Sequence, residues 1–95
     1  MRRRPSSWMT GSDDRILELL GESCVALNKK TLQVNFELDG TDISYSTIKR
    51  RLPLLEDAGL IEEVRQTGSY YRITEKGEQY LAGELAASEL ERDEE

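Results

Sequence analysis

Histidine is absent from this 95-residue chain, and cysteine occurs once, at Cys24. Without imidazole, a zinc site would need an improbable all-carboxylate set, and a lone thiol forms no intramolecular disulfide. The carboxylates gather in the first turn of the first helix and in the C-terminal tail rather than around one pocket, so acid–base and nucleophilic chemistry have no evident residues. The chain is expected to be no enzyme and to carry no cofactor and no metal. Long apolar runs are missing as well: none approaches the ~18 residues that cross a bilayer. The basic start Arg2-Arg3-Arg4 leads into Pro5-Ser6-Ser7-Trp8 rather than into an apolar signal core. No membrane association and a cytoplasmic location are expected, and Cys24 reads as a buried or semi-buried structural thiol.

What the chain has in quantity is charge. Charged residues make up 34% of it against 37% hydrophobic, with a formal net charge of -6. That fits a soluble globular protein of one domain, long enough for one modest core and too short for a substrate domain beside a catalytic one. A binding module is the expectation. The deficit is local: residues 75 to 95 hold eight acids against Lys76 and Arg92, leaving residues 1 to 74 neutral. Inside this neutral stretch, a pair of windows is basic and free of acids: 43 to 55 with Lys49, Arg50 and Arg51, and 64 to 74 with Arg65 and Arg72. If they meet in space, global acidity does not exclude an anionic partner.

Local signals order the elements. Ser12 before Asp13 and Asp14 suits an N-cap, and Ile16, Leu17, Leu19 and Leu20 supply a helical face, predicting a helix over 13–23. Asn28 caps a second helix over 29–37, with Leu32 and Phe36 at i, i+4. Asp39-Gly40-Thr41-Asp42 is a turn. Ser44 or Ser46 caps a third helix whose Ile48, Leu52 and Leu55 face inward, leaving Tyr45, Ser46, Lys49 and Arg50 outward. Pro53 removes one of its backbone hydrogen bonds and bends it, and Gly59 ends it. Residues 60–65 and 70–73, separated by Gln66-Thr67-Gly68-Ser69, read as a hairpin in which Tyr71 and Ile73 share one face and Tyr70 and Arg72 the other. Thr74 caps a fourth helix carrying Tyr80, Leu81 and Leu85 before the acidic end.

The predicted fold is mainly α with a small β-hairpin (α+β). Residues 47–81, "TIKRRLPLLEDAGLIEEVRQTGSYYRITEKGEQYL", resemble the recognition helix, glycine turn, wing and capped last helix of winged helix-turn-helix transcription regulators. The resemblance implies a three-helix core plus wing and a C-terminal helix. The start, "RRRPSSWMTGSDDRILELL", is similar to that of small acidic regulators of salt-loving archaea related to the repressor of the halophage phi-H. Arginines outnumber lysines nine to four, which fits a halophilic, archaeal setting. Two positions depart from the pattern: Cys24 stands where glycine or another small turn residue is expected, and the turn at 38 to 43 is longer than usual.

The resemblance implies double-stranded DNA as partner, homodimeric binding and transcription regulation as a repressor occluding a promoter. The expected segments are a basic N-terminal arm at 1–11, the DNA-binding domain at 12–85 and an acidic tail at 86–95. The recognition helix, about 44–58, would enter the major groove with Ser44, Tyr45, Ser46, Thr47, Lys49, Arg50 and Arg51. Arg50 is the best candidate for a guanine, whereas Arg51 has a competing role in an ion pair with Glu56 or Glu62. The wing would bring Arg65, Gln66, Thr67, Gly68, Tyr70 and Arg72 to the flanking backbone or minor groove. Arg2, Arg3 and Arg4 form a possible minor-groove arm. Trp8, Tyr80, Leu81 and Leu85 are the possible dimer contacts, or else close the monomer core. The alternative is a winged-helix protein-interaction module that binds no DNA.

Overall fold

Thr10, not Ser12, starts the first helix. The Asp13 carboxylate accepts from the Thr10 backbone N–H at 2.9 Å, so the Thr-x-x-Asp spacing forms part of a capping box, and α1 runs Gly11–Ser23. This computed structural model describes residues 9–64 and 69–84. Asp13 and Asp14 still lie in the first turn, where the helix dipole favours them. Ile16, Leu17 and Leu20 are fully buried.

A short strand β1 (Leu27–Asn28) follows, then α2 (Lys29–Asp39), α3 (Tyr45–Asp57), β2 (Ile61–Val64), β3 (Tyr70–Ile73) and α4 (Glu75–Leu81). The sheet has three antiparallel strands in the order β1-β3-β2, not the hairpin alone. Leu27 pairs with Tyr71 and Asn28 with Tyr70, while Glu62 pairs with Arg72 and Val64 with Tyr70 across the hairpin.

The remaining caps follow the side-chain chemistry. Asn28 accepts from the Thr31 N–H at 2.8 Å, Ser44 from the Thr47 N–H at 3.2 Å, and Thr74 from the Gly77 N–H at 3.1 Å. Ser44 is thus the cap of α3, and the helix continues unbroken across the exposed Pro53. At its end Gly59 takes φ +80°, its N–H donating to the Glu56 carbonyl and that of Leu60 to the Leu55 carbonyl, a Schellman closure. Ile48, Leu52, Leu55, Leu60 and Ile61 join the α1 residues, Leu32, Phe36, Tyr71 and Tyr80 in one core.

Cys24 corrects the expectation of a buried thiol. It is exposed, caps the end of α1 at φ 59°, ψ 23°, and its Sγ donates to the Gly21 carbonyl at 3.3 Å. Left-handed backbone costs a side chain about 1–2 kcal/mol, which explains why the position reads as one for glycine. Relief of that strain by glycine is partly offset by its larger unfolded-state entropy. Cys24→Gly is therefore expected to stabilise the domain by about 0.5–1 kcal/mol, raising the thermal midpoint by roughly 3–6 °C in a melt followed by circular dichroism.

Candidate nucleic-acid interface

The outer face of α3 is built by its inner one. With Ile48, Leu52 and Leu55 fully buried, helical periodicity turns Tyr45, Ser46, Lys49 and Arg50 to solvent, and all four are exposed. Ser46, Lys49 and Arg50 stand at i, i+3 and i+4, on one patch near the start of the helix. Ser44 and Thr47 are occupied differently: their hydroxyls lie 3.0 Å apart in a hydrogen bond, beside the cap that Ser44 gives the Thr47 N–H.

The arginines separate by what they already hold. Arg15 pairs with Glu18, Arg51 with Asp13 and Arg72 with Glu62, whereas Arg50 has no carboxylate partner among the described residues. Lys49 has none either among them. A cation exposed without an acid keeps its full attraction for an outside anion, and this distinguishes Lys49 and Arg50 on α3.

Arg51 requires a correction. Its Nε and terminal nitrogen donate to both oxygens of Asp13, at 2.9 and 2.7 Å, rather than to Glu56 or Glu62. Asp13 is fully buried and the Arg51 side chain only 14% exposed. The hydrogen bonds to Asp13, aided by its charge, hold the guanidinium above its ordinary range against the opposing cost of burial. Arg51 thus ties α3 to α1 and is withdrawn from the outward patch.

On the wing, Tyr70 is half-buried and Arg72 exposed, while Tyr71 is buried and Ile73 packs on the core. The window 64–74 is free of acids in sequence but not in space, because strand pairing sets Glu62 against Arg72. Arg65, Gln66, Thr67 and Gly68 lie outside the described residues, as do Arg2, Arg3, Arg4, Trp8 and Leu85 and the whole of 86–95.

Tyr80 takes the second of its two readings. It is 1% exposed, and its hydroxyl donates to Asp14 at 2.5 Å, so it closes the monomer core rather than facing a second copy. Leu81 is half-buried against that core. Among the described residues, no helix is long and apolar enough to cross a membrane, and no group of three or more His, Cys, Asp or Glu side chains is arranged to hold a metal. A groove between α1 and α2, lined by Glu18, Glu22 and Asp39 against the single cation Arg15, itself paired with Glu18, is negative on balance and so unsuited to phosphate.

Known proteins resemble this chain in sequence and fold. The family model for winged helix-turn-helix phage repressors matches residues 1–93. The repressor protein of Halobacterium phage phiH is 37% identical over 99 residues, covering 97% of this chain and 99% of that protein. The crystal structure of the PhiH1 repressor-like protein from Haloarcula marismortui superposes with a TM-score of 0.74 at 40% identity, covering 92% of each chain.

Proposed function

The chain belongs to the winged helix-turn-helix phage repressor family, and is in that general sense a DNA-binding repressor; on that premise we propose that it occludes a promoter by reading a specific operator with α3. The domain 12–85 carries the DNA contacts, flanked by the basic arm 1–11 and the acidic tail 86–95. The observation that carries the reading is the exposed Lys49–Arg50 pair, free of carboxylate partners among the described residues, beside Tyr45 and Ser46. Arg50 has the fork of donors that matches guanine O6 and N7, and Ser46, Tyr45 and Lys49 reach neighbouring bases or phosphates. Arg65 and Arg72 serve the flanking backbone or minor groove, where phosphates compete with Glu62 for Arg72.

Two copies bind as a homodimer, each reading one half-site, with Leu81, Trp8 and Leu85 as the apolar contacts. Acidic composition and the halophage relative point to an archaeal, halophilic setting in the cytoplasm. Counterion release supplies little driving force at molar salt, so base contacts, shape fit and water release carry more of the affinity there.

The test is selection of bound DNA from a random or genomic library at several potassium chloride concentrations, repeated with Lys49→Ala/Arg50→Ala. An enriched inverted repeat that the double variant loses supports the reading. No enrichment at any salt from folded protein would instead favour a protein-interaction module. Arg50→Ala alone is expected to weaken binding to the selected site by about 1–3 kcal/mol with an unchanged thermal midpoint, as measured by titration and melting.

A further inference from the structure

A further basic stretch without acids, besides the N-terminal arginines and the two windows above, lies between Glu22 and Glu37, at residues 23–36, and its two cations are the adjacent Lys29 and Lys30. The strand register gives it a location. Asn28 pairs with Tyr70, the first residue of β3 and thus the end of that strand nearest the wing loop. α2 begins at the next residue, so its first turn leaves the sheet edge beside the base of the wing. Asn28 fixes that departure by capping the helix, and Leu27 repeats the attachment against Tyr71.

The two lysines differ in how they are held. Lys29 is half-buried, with its Nζ 5.4 Å from the centroid of the Tyr71 ring, a cation–π distance that anchors the side chain to β3. Lys30 is exposed and has no ion-pair partner among the described residues. The described strands of the wing contribute Glu62, Glu63 and Arg72, with Glu62 already on Arg72. Among the described residues, the uncommitted positive charge at this edge of the sheet therefore comes from α2. A lysine is a compact point charge suited to a phosphate oxygen and poorly suited to telling one base from another.

We propose that Lys29 and Lys30 form a phosphate-backbone contact that clamps the duplex on the wing side of α3 and contributes affinity without sequence preference. The proposal rests on the DNA-binding reading above. The α2, α3 and wing stretches then divide the work: the α3 stretch reads bases, while the wing and the α2 start hold the backbone.

The experiment uses the full chain, its selected duplex and a scrambled duplex of equal length, titrated at several potassium chloride concentrations at which circular dichroism reports folded protein. Lys29→Gln/Lys30→Gln is expected to weaken binding to both duplexes by the same factor, roughly 3–10-fold, and to reduce the salt slope by about 0.9 for each phosphate no longer neutralised. The ratio between the duplexes stays as in the wild type. Lys30→Gln alone gives a smaller change of the same kind and does not disturb Tyr71, and Lys30→Arg restores the slope. Folded Lys30→Gln with wild-type affinity and slope, or a changed ratio between duplexes, overturns the proposal. A wild-type chain that binds neither duplex fails the underlying reading instead, whereas Lys49→Ala/Arg50→Ala lowering the ratio with an intact slope effect at Lys30 separates the two.

Discussion

Asp13→Ala is expected to remove about 3–5 kcal/mol of stability, the cost of breaking a buried ion pair by deleting one partner. Asp13 is fully buried and accepts from two Arg51 nitrogens, the Thr10 backbone N–H and, at 3.5 Å, the Thr10 hydroxyl. Its loss takes two carboxylate hydrogen bonds from a guanidinium that is 14% exposed and removes a helix cap in the same step. A domain of this size has only ~5–15 kcal/mol in all, so thermal melting should show a midpoint lower by roughly 12 °C or more, or an unfolded chain. Asp13→Leu combined with Arg51→Met, which replaces the pair with apolar groups, is expected to recover much of the loss. A double variant as unstable as Asp13→Ala would mean that the site depends on something other than the broken Asp13–Arg51 pair.

The same pair affects how DNA-binding variants are read. Arg51 is the third cation of Lys49-Arg50-Arg51, and Arg51→Ala is expected to weaken binding even if it touches no DNA, because it removes a polar tie between α3 and α1 and leaves Asp13 buried without that partner. The diagnosis is the accompanying fall in thermal midpoint. Arg50→Ala, on an exposed position, should leave the midpoint alone.

This difference also marks where the sequence was legible. The periodicity of Ile48, Leu52 and Leu55, the turn at Gly59 and the caps at Asn28, Ser44 and Thr74 depend on residues within a turn or two of one another, and all five features are present. Arg51 and Asp13 are 38 positions apart, and only the crossing of α1 with α3 joins them, so the nearer Glu56 and Glu62 were the visible candidates. β1 has two residues, too few for an alternation, and owes its existence to β3. Tyr80 was ambiguous because its position on a short amphipathic helix suits either a core or an interface, and the Asp14 hydrogen bond that decides it is long-range. Two signals were present and local: Thr10-x-x-Asp13 spells a capping box, and Glu62 and Arg72 are equidistant from Thr67 and therefore opposite one another in a symmetric hairpin.

Gly77→Ala is the second large effect, and helix propensity predicts the wrong sign for it. Alanine is preferred to glycine within a helix by about 1 kcal/mol, so a substitution in the first turn of α4 would ordinarily be neutral or stabilising. Gly77 is buried, however, and a Cβ there would lie 2.3 Å from the Leu60 carbonyl oxygen and 2.6 Å from Ile73 Cγ1. The carbonyl cannot turn aside cheaply, because it accepts the Thr74 N–H at 3.0 Å, while the Thr74 hydroxyl donates to the Gly59 carbonyl at 2.6 Å. These bonds clamp the start of α4 to the end of α3, and relieving the clash means opening the clamp. Overpacking costs ~1–3 kcal/mol where neighbours can shift and more where they are backbone, so a net loss of about 3 kcal/mol is expected, with the midpoint lower by roughly 12–24 °C. A melt of Gly77→Ala at or above the wild-type midpoint would show that α4 is free to move from Leu60. The loss predicted here identifies Gly77 as the point at which close backbone approach, not helix formation, sets the residue.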